Sequence, residues 1–149
     1  MMNLKIVPDV IGPQTIRGLS ETDTVLDAAN LMVRHDIAAV VVFGAADTLV
    51  GIVTERDLTR RVVADGLDPA TTALGDIMTE NPDTLSPDDA VYDAVELMRT
   101  RRYRHLPVVE NGKVVGMVSM RDLYDTLQTA LEENMRETEA FVFGAVKDA

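Results

Sequence analysis

The sequence predicts an α/β (α+β) protein built from two βαββα repeats, packed sheet to sheet about a pseudo-two-fold axis. One observation is a repeated motif, "GIVTERDL" at 51–58 and "GMVSMRDL" at 116–123, with an offset of 65. A second is the alignment of "DTVLDAANLM" (23–32) with "DAVYDAVELM" (89–98), at an offset of 66. The third is size, because a sheet of two or three strands with one apolar face is not stable alone, so two copies are expected to share a core.

Each repeat is predicted to enter its first helix at a serine, Ser20 or Ser86, that has an aspartate three residues later. That spacing is typical of a helix N-terminus, and Pro87 suits the first helical position. Apolar residues follow at the spacing of one helix face, which predicts a buried stripe on each helix. The stripes are Val25, Ala28, Ala29 and Met32 in the first repeat and Val91, Ala94, Val95 and Met98 in the second.

Two strands are predicted after each helix, because runs rich in β-branched residues are separated there by turn residues. The second turn contains Asn111-Gly112, the strongest short signal for a hairpin. The second strand of each repeat is expected to pass directly into another helix, at Thr54 or Ser119. The predicted strands are 37–43 and 49–53 in the first repeat and 105–109 and 114–118 in the second.

These elements divide the chain into two repeats, a linker and a tail. We expect repeat 1 at 8–66, a linker at 67–73, repeat 2 at 74–128 and a C-terminal helical tail at 129–149. The connection between the repeats contains Pro69 and Pro82, which are typical of turns and loops. Leu123, Leu127 and Leu131 lie four residues apart on the last helix and predict a stripe for contact with a partner.

Composition excludes several classes of protein. Of 149 residues, 46% are hydrophobic and 26% charged, which is ordinary for a globular protein. The absence of cysteine rules out disulfides and zinc–thiolate sites, and two histidines are too few for a multi-histidine metal site within one chain. No apolar run approaches the roughly 18 residues of a membrane span, and the N-terminus lacks the features of a secretory signal. We therefore expect a cytoplasmic protein that does not contact membrane.

Charge and motifs narrow the function further. The formal net charge of −11 repels nucleic acid, and the basic stretch at 100–107 is too short to predict a nucleic-acid surface. The sequence lacks the glycine-rich phosphate loop, the nucleophile elbow and the His-Glu-x-x-His metal motif. We therefore expect a protein that is not an enzyme.

Two interpretations fit Thr54-x-x-Asp57 and its counterpart Ser119-x-x-Asp122. In the first, the hydroxyl and the carboxylate form a capping box that satisfies free amides at a helix start. In the second, the same groups form a ligand site, because a helix start after a strand offers amide donors and a carboxylate acceptor. The interpretations are compatible, and only the second predicts a ligand.

Arg56 and Arg121 lie in the first turn of the same two helices, where a cation is mildly unfavourable against the helix dipole. The presence of an arginine at this position in both repeats favours a functional role, such as contact with a phosphate or pairing across the pseudo-dyad. An ordinary surface arginine is the alternative.

Several of these segments resemble a tandem pair of cystathionine-β-synthase (CBS) domains, also called a Bateman module. The second repeat carries the resemblance in "DIMTENPDTLSPDDAVYDAVELM", "RHLPVV" and "GMVSMRDL", and the first in "LSETDTVLDAANLM", "AAVVVF" and "LVGIVTERDL". It covers roughly residues 10–128. In that family, clefts between paired domains bind adenosine-containing ligands such as AMP, ADP, ATP, S-adenosylmethionine or NAD, and the pair usually regulates a partner.

The resemblance implies roles for individual residues. Asp57 and Asp122 would accept hydrogen bonds from a ribose, assisted by Thr54 and Ser119. The backbones of Ile37 and Tyr103 would meet the adenine edge, and Thr79 of the connector would line the same cleft. The first lead-in, "VIGPQTIRGLS", lacks the pattern around Thr79, which leaves its equivalent contact open.

Arg104 and His105 take the places of Ala38 and Ala39 at the start of a strand that lines the cleft in the family. A guanidinium suits phosphate because its planar fork donates two hydrogen bonds, and a solvated basic stretch is the alternative. Only the cleft of Asp122 is expected to contain this pair, so we expect it to bind phosphorylated adenosine more tightly than the cleft of Asp57.

The resemblance therefore implies a sensor of an adenine nucleotide (AMP, ADP or ATP) that requires no other cofactor and acts on an unidentified regulated protein. A homodimer is expected, because apolar helix residues such as Leu58, Val62, Leu123 and Leu127 need cover. The alternatives are an interaction module with vestigial clefts, or a pair that binds S-adenosylmethionine or NAD.

Overall fold

An antiparallel strand pair followed by a helix organises each half of the fold. The computed structural model describes residues 3–147. The first half contains β1 (Gly18–Ser20), α1 (Val25–His35), β2 (Ala39–Phe43), β3 (Leu49–Thr54) and α2 (Glu55–Leu58), which continues into a wider helical turn at Thr59–Val63. The second contains β4 (Thr79–Glu80), α3 (Val91–Arg101), β5 (His105–Glu110), β6 (Lys113–Ser119) and α4 (Met120–Lys147). The α+β class predicted from the sequence is confirmed.

The first sheet has four strands in the order β1–β2–β3–β4, and the second is the hairpin β5–β6. β1 is parallel to β2, whereas β2, β3 and β4 are antiparallel neighbours. Leu19 pairs with Val42 across β1 and β2, and their equivalents in the second repeat, Leu85 and Val108, form a parallel bridge. The two halves therefore share this parallel pairing and the antiparallel hairpin, as well as their sequence motifs.

The β5–β6 hairpin closes at the turn that the sequence predicted. Asn111 and Gly112 both have positive φ, at 52° and 76°, as the favoured two-residue hairpin turn requires. Glu110 and Lys113, on either side of this turn, are paired. All four predicted strands are present within two residues of their expected bounds.

The two main helices begin later than predicted. Thr24 is the N-cap of α1 and forms a capping box with Asp27, while Ala90 precedes α3 without a side-chain cap. Ser20, the last residue of β1, and Ser86 instead lie just before a turn that precedes the helix, and the backbone N–H of each donates to the aspartate three residues later at 2.8 Å. The helix starts expected at the serines were wrong, because a carboxylate at this spacing satisfies amides in a turn as readily as at a helix end.

The apolar stripes of both helices face the interior, as expected. Val25, Ala28, Met32, Val91, Ala94 and Met98 are buried, and Ala29 and Val95 are half-buried.

Each half takes a segment from the other to complete its core. Ile6, near the N-terminus, is buried among residues of α3, β5, β6 and α4. Leu74, just before β4, is buried among residues of α1, β2 and β3. Backbone hydrogen bonds hold both segments: Ile6 N–H donates to the Asp89 carbonyl at 3.0 Å, and Leu74 N–H donates to the Asp23 carbonyl at 2.8 Å. Segments of the chain therefore cross the predicted boundary between the repeats in both directions. The boundary itself stays a prediction.

Replacing Ile6 by alanine tests this exchange. Ile6 is fully buried in the core of the second half, so its truncation should lower the free energy of unfolding in urea by about 2–5 kcal/mol. Val33→Ala is the control, because Val33 is 84% exposed on α1 and such substitutions usually change stability by less than ~0.5 kcal/mol. Equal stability of the two variants would show that the N-terminal segment does not belong to the core.

Candidate functional site

Two clefts are lined by residues from both halves. The larger has a volume of about 1230 Å³ and lies at the junction of β6 and α4. Ser119, Arg121 and Asp122 line it from the second half, and Ile37 lines it from the first. We call it the larger cleft.

The smaller cleft, of about 670 Å³, lies at the junction of β3 and α2. Thr54 and Asp57 line it from the first half, and Thr79 lines it from the second. The structure therefore brings a carboxylate, a hydroxyl and the connector residue Thr79 together in one cleft. What these residues bind stays a prediction.

Capping boxes hold the hydroxyl and carboxylate of both clefts. The Thr54 N–H donates to Asp57 Oδ2 at 2.9 Å, and the Asp57 N–H donates to Thr54 Oγ1 at 3.2 Å. The corresponding distances for Ser119 and Asp122 are 2.9 and 3.0 Å. Because β3 and β6 run into their helices without a loop, one residue is both the end of a strand and the N-cap of a helix. The capping interpretation is correct, and it occupies only one carboxylate oxygen of each aspartate.

The second carboxylate oxygen differs between the clefts. Asp57 Oδ1 lies 3.8 Å from Arg61 Nε, and Arg61 also donates to the carbonyls of Ile77 and Met78 at 2.9 and 3.2 Å. Asp122 has no ion pair among residues 3–147, and its side chain accepts only the Ser119 N–H. Its second oxygen is therefore available to a ligand.

Sequence reasoning missed this role of Arg61, although one signal was present. Arg61 lies four residues after Asp57, the spacing at which opposite charges meet on a helix. Thr126 stands at the equivalent position after Asp122, and its hydroxyl donates to the Asp122 carbonyl at 2.9 Å. The repeat therefore has a cation at this position in one copy and a neutral residue in the other.

Arg104 and His105 line both clefts, as do Arg56 and Tyr103. The expectation that Arg104 and His105 belong to the cleft of Asp122 alone is wrong. β5 begins at His105, and the residues at its start lie where the two clefts meet. The presence of this pair therefore does not by itself distinguish one cleft from the other.

The clefts concentrate positive charge in an acidic protein. Nine arginines line one or both of them, out of 14 lysines and arginines in the whole chain. Within residues 3–147, no carboxylate oxygen lies within 4.0 Å of Arg56, Arg102, Arg104 or Arg121. With 25 acidic residues available, these unpaired guanidinium groups favour an anionic ligand.

His105 is the partly buried titratable group at this meeting point. Burial lowers the pKa of His105 below its ordinary value, the carboxylates of Asp122 and Glu55 oppose that change, and Arg104 adds to it. The imidazole is therefore poised to gain a proton when an anion binds nearby.

Gln14 is a second residue that sequence reasoning missed. Its Oε1 accepts the backbone N–H of Met117 on β6 at 2.9 Å, beside the larger cleft. β4 occupies the equivalent place beside β3, where Thr79 pairs with Ile52. A side chain thus replaces strand pairing in the first lead-in, which explains why its sequence lacks the pattern found around Thr79.

The structure offers no helix among residues 3–147 with the length and apolar character needed to span a bilayer.

The family model of the CBS domain matches residues 16–64 and 74–129. "CBS domain-containing protein CBSX3, mitochondrial" of Arabidopsis thaliana is 36% identical over 126 residues, which cover 82% of this chain and 61% of that protein. CBSCBSPB2 of the same plant is 37% identical over 73% of this chain, but only 20% of its own length is covered.

Solved structures agree with the family match. A protein with CBS domains from Burkholderia ambifaria superposes with a TM-score of 0.78 and 33% identity, covering 83% of this chain and 93% of that one. A CBS domain protein from Pyrobaculum aerophilum, complexed with AMP, has a TM-score of 0.71 and 30% identity over 80% of this chain and 89% of its own. The chain therefore belongs to the CBS-domain family and contains two CBS domains in tandem.

Proposed function

We propose that the chain is a non-catalytic regulatory module that binds an adenine nucleotide of the AMP, ADP or ATP type in its clefts. The carrying observation is the larger cleft, which is lined both by Asp122, with an available carboxylate oxygen, and by unpaired arginines. A ribose hydroxyl can donate to this oxygen, and guanidinium groups donate in pairs to phosphate. The relative from Pyrobaculum aerophilum that is complexed with AMP supports the same class of ligand.

The charge of the clefts separates the candidate ligands. S-adenosylmethionine carries a positive sulfonium, which the unpaired Arg56, Arg104 and Arg121 would repel. Phosphorylated ligands, NAD included, have the opposite charge and match the clefts. A module with vestigial clefts would keep these arginines unpaired without a compensating anion, so the structure favours a ligand.

The larger cleft should bind the nucleotide more tightly, for a reason different from the one inferred from the sequence. Asp57 faces Arg61 in the smaller cleft, so a ribose there must compete with an ion pair. Asp122 has no such competitor among the described residues.

Occupancy can regulate a protein partner only if the ligand binds one arrangement of the module better than another.

We also propose a homodimer, although not through all the residues expected from the sequence. Val62 and Leu123 are buried within the chain, and Leu58 and Leu127 are half-buried. They do not form a surface that needs cover.

The exposed apolar surface lies further along α4. Tyr124, Leu131, Met135 and Val142 are each more than half exposed, and successive members are separated by one or two helical turns, which places them on one helix face. A two-fold dimer buries such a self-complementary face in the simplest closed assembly.

Asp122→Asn tests the ribose contact without removing the helix cap. The asparagine oxygen still accepts the Ser119 N–H, but an amide NH₂ replaces the available oxygen and cannot accept a ribose hydroxyl. A hydrogen bond to a charged group contributes about 1.5–3 kcal/mol, so the affinity for AMP in isothermal titration should fall by about ten- to a hundredfold.

The matched control for this variant is Asp27→Asn. Asp27 forms the same box with Thr24 at 3.0 and 3.2 Å and lines neither cleft. Its replacement should leave AMP affinity unchanged. An Asp122→Asn variant that binds AMP as tightly as Asp27→Asn would remove the ribose contact from the proposal.

His105 predicts a pH dependence of binding. Its pKa is lowered in the free protein, and a nearby phosphate dianion should raise it, so binding takes up a proton. The affinity for AMP should therefore rise as the pH falls from about 8 towards 5.5. Because the AMP phosphate also titrates near pH 6, the measurement is the difference between the wild type and His105→Gln across that range. Parallel affinity curves for the two proteins would exclude His105 from phosphate binding.

Charge placed on the exposed face of α4 tests the dimer. Sedimentation of the wild type at micromolar concentration should give twice the 16.3 kDa chain mass, and Leu131→Glu should give the chain mass itself. Thr129→Glu introduces the same charge on the opposite, exposed side of the helix and should sediment as the wild type. A wild type that remains monomeric would contradict the proposal.

A further inference from the structure

We propose that the two clefts share one phosphate locus, formed by Arg56, Arg104 and His105, so that phosphorylated ligands in the two clefts weaken each other. Unphosphorylated nucleosides should fill both clefts without this effect. The inference rests on the proposed binding of adenine nucleotides and adds a rule for how the clefts fill.

The residues of the clefts divide into two groups. The proposed ribose acceptors are separate, because Ser119 and Asp122 line only the larger cleft and Thr54 and Asp57 only the smaller. The cationic groups at the start of β5 and Arg56 of α2 line both. Each cleft therefore has its own nucleoside determinants, and the phosphate-binding groups lie between them.

Three of the six arginines that line one cleft alone are already engaged, while Arg60, Arg101 and Arg121 have no carboxylate partner within residues 3–147. In the larger cleft, Arg99 pairs with Glu96 at 2.8 Å and Arg17 contacts the His35 ring at 3.1 Å. In the smaller cleft, Arg61 is held by Asp57 and two carbonyls.

Arg56 and Arg104, by contrast, are exposed and have no carboxylate partner within the described residues. With Arg102, which also lines both clefts and has no carboxylate partner within residues 3–147, they are the guanidinium groups that either cleft can recruit.

A shared cation cannot serve two phosphates equally. A guanidinium donates its paired hydrogen bonds in one direction, so a first phosphate that recruits Arg104 withdraws it from the other cleft. A second phosphate then meets fewer donors and the negative charge of the first, which is about −1.5 to −2 at pH 7. Arg121 lines only the larger cleft, which should therefore fill first.

Titration calorimetry of the full chain with adenosine and with AMP, at low salt, measures this coupling. Adenosine should bind twice per chain, with a ratio of affinities that reflects only the two ribose sites. AMP should show one tight and one weak step, whose ratio exceeds the adenosine ratio by at least tenfold. That excess should shrink in ~0.5 M salt, because exposed charges are screened.

Arg104→Gln should lower the AMP ratio towards the adenosine ratio, and Arg121, which lines only the larger cleft, should preserve the rest of the excess. The matched control is Arg60→Gln, because Arg60 lines only the smaller cleft. Arg60→Gln should weaken the second AMP step, so the AMP ratio should still exceed the adenosine ratio. In Asp122→Asn, where the larger cleft no longer competes, the smaller cleft should bind AMP more tightly than the second step of the wild type.

The outcomes distinguish the inference from the proposed function. Two AMP steps with the adenosine ratio, or an excess that Arg104→Gln leaves unchanged, would overturn the shared locus while nucleotide binding stands. Failure of both adenosine and AMP to bind would overturn the shared locus and the proposed function together.

Discussion

Neither half of this protein can close its own hydrophobic core, and the rest of the structure depends on that constraint. Each sheet is too small to bury both of its helices' apolar stripes, so Ile6 and Ile11 fill the second core and Leu74 and Ile77 fill the first. The crossing segments continue beside β3 and β6, where Thr79 pairs with Ile52 and Gln14 accepts the Met117 N–H, and Thr79 and Gln14 each line a cleft. The clefts are thus a consequence of how the halves complete one another.

The aspartate of a capping box is a candidate ligand-binding group only where the packing of the two halves places it beside a cleft. Three boxes have nearly the same geometry, at Thr24, Thr54 and Ser119. The motif alone therefore does not distinguish a structural aspartate from one that meets a ligand. Position beside a cleft distinguishes them, together with whether a cation such as Arg61 lies near the second oxygen.

Local patterns predicted the elements that local physics controls. The β-branched runs and Asn111-Gly112 gave the strands and the hairpin turn, since pairing and positive φ are properties of neighbouring residues. The helix starts at Ser20 and Ser86 were misplaced, because a serine–aspartate spacing stabilises two different local structures. The position of Arg104 between both clefts and the burial of Ile6 in the distant half depend on contacts far apart in the chain, which no local pattern reveals.

The exchanged segments also determine when each hydrophobic core can be completed as the chain is made on the ribosome. Leu74 and Ile77 emerge from the ribosome soon after β3, so the first half can complete its core while the second is still being made. Ile6 emerges more than a hundred residues before its partners on β6 and α4. The segment around Ile6 must therefore wait, without the partners that cover it in the folded protein, until β6 and α4 have been made. Contacts of such long sequence separation are slow to form, and the nascent chain is most exposed to aggregation and chaperone binding in this interval.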